Sequence, residues 1–109
     1  MRIRRSGSAL QVCADLQRHH LDSLSWALVD AGWATTSRTC ETIPLLRVVH
    51  PDLPLIRESI TVHGHRWRLW FHDSSGRAIA PVSDLRRAVA AIGASLEPCS
   101  LAASHRDLV

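Results

Sequence analysis

Lysine, asparagine and tyrosine are all missing from this chain, so each of its 13 basic residues is an arginine. The codons of the three missing residues begin with two A or T bases, whereas arginine and alanine have GC-rich codons; the bias points to a GC-rich genome. A pI near 9.3 and a net charge of +3 would ordinarily suggest nucleic acid or an anionic surface. Base composition accounts for part of that excess, which makes net charge a weak pointer. No apolar run approaches the ~18 residues that a membrane-spanning helix needs. The opening MRIRRSGSALQVCADLQRHH is basic, but charges resume before any apolar secretion segment has formed. A soluble, cytoplasmic protein without a membrane partner is expected. Cysteine is scarce: Cys13, Cys40 and Cys99 are odd in number, widely spaced and never arranged as C-x-x-C. That argues against a disulfide framework or a thiolate zinc site and leaves reduced, structural thiols. The G-x-S-x-G, Walker A, H-E-x-x-H and G-x-G-x-x-G fingerprints are absent as well. No catalytic, cofactor-binding or metal-binding set is therefore expected, and the chain reads more as a binding protein than as an enzyme.

What is present fits one domain: 109 residues, 46% apolar and 21% charged. Residues 1–7 read as a basic flexible lead, 8–96 as the domain and 97–109 as a C-terminal tail. Leu21, Leu24, Leu28 and Ala31 recur at helical spacing, with Asp22 or Ser23 able to cap and Gly32 placed to end the helix in a left-handed conformation. A helix is expected over 22–31, with Leu10, Cys13 and Leu16 able to extend it upstream from Ser8. WATTSR and LLRVVH then read as two strands of a first hairpin around the 40–44 loop. Pro51 and Pro54 impose a non-strand link over PDLPLIRE.

The stretch from Ser59 to Val82 writes an antiparallel meander, with glycine in both apparent turns, Gly64 and Gly76. Taking Gly64-His65 as a two-residue turn pairs His63 with Arg66, Val62 with Trp67 and Ile60 with Leu69. Alternation then puts Ile60, Val62, Trp67, Leu69 and Phe71 on a core face, and Thr61, His63, Arg66, Arg68 and Trp70 on an outer one. After Pro81, Ser83 is placed to cap a helix with Asp84 in its first turn. Leu85, Val89, Ile92 and Leu96 form its apolar stripe, and Pro98 is expected to stop it. The whole predicts an α+β fold, a four- to five-stranded antiparallel meander with an N-terminal and a C-terminal helix packed on one face. To fill such a sandwich, three of the four Trp should be substantially buried.

The segments PLLRVVHPDLPLIRESITV, WRLWF and GRAIAPVSDLRRAVAAI resemble a family of small uncharacterised actinobacterial α+β proteins. That family shows a helix ending in Gly, a P-x-L-x-V-x-x-P strand, a Trp-rich strand and a G-x-x-I-x-P-V-x-D-[LV] lead-in to the last helix. The resemblance runs from Leu21 to Leu96 and implies the same fold without an activity. The family's aromatic-Ser-Trp-Gly turn is replaced here by Asp73-Ser74-Ser75-Gly76, which lacks the aromatic side chain.

The candidate partner-binding residues are Trp70, Arg66, Arg68, His63 and Thr61. Guanidinium donors around an aromatic plane suit two uses. The leading expectation is an adaptor that binds another protein, or itself as a dimer, with Trp70 as anchor and the arginines as rim, since interfaces favour Trp and Arg. The alternative is an RNA- or DNA-binding face using phosphate contact and base stacking. A remoter alternative is a toxin-like ribonuclease. The helix, three-strand, helix order resembles small toxins of the double-stranded-RNA-binding type, but their Gly-Ser-His motif is absent, and only His50 or His63 could replace its catalyst. Cys40 as a nucleophile has no supporting motif. Metal binding by the seven His is disfavoured. His63 and His65 would diverge across the turn, and His19 and His20 by about 100° on a helix.

Overall fold

The first apolar stripe does become a helix, and a longer one than expected. In the structure, a computed structural model, residues 2–38 and 43–107 are described, with side chains over 13–38 and 43–97. Helix α1 spans Arg2–Asp30, so the backbone of the expected flexible lead is already helical from Arg2. Strands β1 (Ala34–Arg38), β2 (Leu45–Val49), β3 (Arg57–His65), β4 (Arg68–His72) and β5 (Ala78–Pro81) follow, and helix α2 covers Leu85–Asp107. The strands form one antiparallel sheet in the order β1-β2-β3-β4-β5, each joined to the next by a hairpin. Both helices lie on one side of it. Leu21, Leu24 and Leu28 of α1 and Ala88, Ile92 and Leu96 of α2 share a single core with Leu46, Val48, Ile60, Val62, Phe71 and Ala80. Each large apolar side chain buried there contributes on the order of 1.5–3 kcal/mol.

Local signals explain most boundaries. Gly32 sits at φ +98 and closes α1 as a Schellman cap: its N–H donates to the Val29 carbonyl at 3.0 Å, and the Trp33 N–H donates to the Leu28 carbonyl at 2.9 Å. At α2 the cap falls one residue later than expected. Asp84, not Ser83, accepts the Arg87 N–H on its carboxylate at 3.1 Å, and its carbonyl takes the first helical bond, from Ala88. Pro98 does not stop α2, which continues to Asp107 and takes in most of the expected tail. The linker after β2 is shorter than PDLPLIRE, because Arg57 and Glu58 already pair with Val49 and Val48.

The β3–β4 register is the main correction. The turn is Arg66-Trp67, both at positive φ (48 and 71), and His65 pairs with Arg68. Gly64 instead lies within β3 opposite Leu69. Phe71 decides this: opposite Val62 and beside Ala80, it is fully buried beneath the helices. Moving the turn by two residues shifts the pairing by four, from Arg66 to Trp70 opposite His63, which preserves the side-chain alternation, so the two faces keep their assignment. It removes Trp67 from the core, however, and Arg66 from the outer face. Trp67 is 104% exposed and Trp26 77%, while Trp33 and Trp70 are half-buried, so the expectation of three buried Trp does not hold. Leucine, isoleucine and valine with the lone Phe fill the sandwich instead.

Candidate functional site

The helices cover one side of the sheet, and alternation sends the remaining strand residues to the other. Opposite the core positions stand Thr36 and Arg38 of β1, Leu45, Arg47 and Val49 of β2, and Arg57, Ser59, Thr61, His63 and His65 of β3. Arg68, Trp70 and His72 of β4 and Pro81 of β5 complete that face, while the bulge in β5 turns Ile79 toward the helix-side core. Arginine thus appears on each of β1 to β4, and among the described residues no Asp or Glu occupies an outward strand position. The strands' own carboxylate, Glu58, falls on the helix-facing side with Ile60 and Val62.

Trp70 is not a freely standing anchor. Its ring meets the His65 imidazole at 5.3 Å and 80°, and the Arg87 guanidinium reaches over from α2 to lie 5.3 Å from the ring centroid. Its indole Nε1–H is buried and meets no acceptor; the same is true of Nε on Arg47. Buried donors are normally paired.

The histidines gather more closely than expected. His63 and His65 lie two apart on β3 and face the same way, because the turn comes after them. His63 meets His72 at 5.4 Å between centroids, and His65 meets His72 at 6.3 Å, both near edge-to-face. His72 is 8% exposed, and its Nδ1 lies 3.1 Å from the Trp70 carbonyl, which can only accept, so Nδ1 carries the hydrogen. Among the described residues, no group of three or more His, Cys, Asp and Glu is placed to hold a metal ion.

Of the expected binding residues, Thr61, His63, Arg68 and Trp70 share the outer face, while Arg66 stands in the turn. His65, His72, Arg38, Arg47 and Arg57 join them unforeseen. For the strand members, alternation carried past His63 and through LLRVV would have found them. No sequence signal places Arg87 beside Trp70, since a helix delivers it from a separate element. Cys40 lies outside the described residues, and Cys13 is exposed on α1.

A second concavity, a cleft of about 410 Å³, lies between α2 and the β4–β5 turn, with Glu58, Asp73, Arg77, Ile79 and Ser95 among its walls. Its carboxylates serve the backbone. Glu58 Oε1 accepts the Ser59 and Ser74 N–H groups at 2.9 Å, and Asp73 Oδ1 accepts from Ser75 and Arg77. Burial pushes the Asp73 pKa up, but hydrogen bonds from Ser75 and Arg77 and the Arg77 charge outweigh it and hold the carboxyl below its usual value.

Comparison with protein-family models, with curated proteins and with solved structures finds no match to this chain. Among the described residues, no helix is long and apolar enough to cross a membrane.

Proposed function

We propose that the protein is a binding module whose open sheet face takes single-stranded nucleic acid. The observation that carries this reading is the outer face itself: arginine on four successive strands, aromatic and imidazole rings between them and, among the described residues, no carboxylate at an outward strand position. A polymer of phosphates supplies acceptors to such a face, and its bases supply planes for the rings. The low net charge is compatible with this because, among the described residues, the acidic side chains occupy no outward strand position. The reading carries with it a cytoplasmic site of action and kinship with the small actinobacterial proteins, the latter on shared motifs alone.

The Trp70-anchored protein interface, with a second copy or another protein, is the second reading. Half-buried Leu45 and Val49 on the same face favour it, as do the edge strands β1 and β5, which leave ladder groups open to an added strand.

Fluorescence anisotropy with labelled oligo(dT) and oligo(rU) of about 15 nucleotides tests the first reading. Affinity should fall steeply with salt. Replacing Arg57 or Arg68 by Ser should weaken binding and make the log-log salt slope shallower by about 0.7 for each phosphate contact removed. Absence of binding at low salt, or equal affinity for polyglutamate peptides in competition, would sink it.

A further inference from the structure

The β3–β4 hairpin runs beyond the helical layer. Residues 63–68 are exposed, and a Cβ placed on Gly64, at a position of helix-facing parity, would meet nothing within 4 Å. The far end of the sheet is therefore a two-stranded finger, and its tip is chemically odd. A two-residue turn with both φ values positive ordinarily takes Asn-Gly or Asp-Gly, because a Cβ in the left-handed region crowds the backbone. Here the pair is Arg66 at φ 48 and Trp67 at φ 71. A bulky aromatic at positive φ is costly, and Trp67 gains no packing inside the fold in return, since it is 104% exposed. Its sequence neighbours are the guanidinium groups of Arg66 and Arg68 and the His65 ring. Trp70, by contrast, has its ring between His65 and Arg87 and its N–H buried.

We infer that Trp67 is the stacking contact of this protein: the hairpin tip presents its indole to an unpaired base while Arg66 and Arg68 engage the adjoining phosphates. This rests on the nucleic-acid reading of the sheet face and adds to it the place where a base is gripped. The strained tip is kept because its side chain works outside the fold. Strain and exposure at one residue give opposite signs for stability and binding, and that opposition is measurable.

The experiment uses Trp67→Gly, Trp67→Phe and the double change Arg66→Asn with Trp67→Gly, in the full chain. For each, the melting temperature and the affinity for labelled oligo(dT) and oligo(rU) are measured across a salt series. Glycine at Trp67 should raise the melting temperature by roughly 5 °C through relief of the left-handed strain. The same change should weaken oligonucleotide binding by about 5- to 150-fold, the effect of one lost base stack. The salt slope of Trp67→Gly should match that of the unaltered protein, because stacking releases no counterions, and Trp67→Phe should bind with intermediate affinity. The double change should be at least as stable and should lose slope as well. Affinity within twofold of the unaltered protein, a lowered melting temperature, or a slope change in Trp67→Gly alone would each overturn the inference while leaving the sheet-face reading standing. Loss of self-association on sedimentation, with oligonucleotide affinity unchanged, would make the tip a protein contact and overturn it too. An unaltered protein that binds neither oligonucleotide would fail the sheet-face reading first, and this inference with it.

Discussion

His50 offers a sharp test of how a side chain can stand in for backbone structure. It follows β2, is 9% exposed, and accepts the N–H groups of both Asp52 and Leu53 on Nδ1, each at 3.1 Å. Nδ1 must therefore present its lone pair, which assigns the ring hydrogen to Nε2. The ring also stands edge-on to Trp33, with centroids 5.6 Å apart at 83°. These contacts fold the proline-containing link back on itself, so that the His50 N–H reaches the Ile56 carbonyl at 2.9 Å and β3 starts in register. Removing the ring forfeits two hydrogen bonds of about 0.5–1.5 kcal/mol net each and an aromatic contact of similar size. Water can replace the partner of the exposed Asp52 amide, so His50→Ala should cost about 2–3 kcal/mol. His50→Asn keeps an acceptor that can reach backbone two residues on, as in an Asx turn, but not the ring; it should recover roughly half of the loss. Denaturant titration at neutral pH reads both variants through the midpoint at a constant m value. If Asn is no better than Ala, the turn is not held by the imidazole acceptor and the reasoning fails.

The α2 cap separates two adjacent residues: Asp84→Ala should cost about 0.5–2 kcal/mol and Ser83→Ala close to nothing, and equal effects in thermal melts would contradict the assignment. Asp73 sets an acid-side dependence. Its folded pKa lies below the unfolded value of 3.8, so its stabilisation is fully present well above that pH and is lost as pH falls through the folded value. The stability gap between the unaltered protein and Asp73→Asn, followed by denaturation from neutral pH downward, should therefore close below about pH 4; a gap that persists in acid would show that its charge is not what holds the turn.

Much of the fold was legible because it rests on local periodicity. Leu21, Leu24 and Leu28 at helical spacing, Gly32 at the cap, and the alternation of Ile60 with Val62 and of Leu69 with Phe71 are properties of short segments, and both faces of the meander followed from them. The outward placement of Thr61, His63, Arg68 and Trp70 was legible for the same reason, since displacing the turn by an even number of residues leaves alternation intact. The register itself was not legible. Gly64 is the better turn residue by local preference, but burying Phe71 against Val62 and Ala80 outweighs the strain of Arg66 and Trp67 at positive φ. The environment of Trp70 was hidden too, because Arg87 comes from a helix whose position depends on packing over β5. Local spacing determined which residues share a face. Only the tertiary structure decided which ring stands free, because long-range burial, and not turn preference, fixes where the hairpin closes.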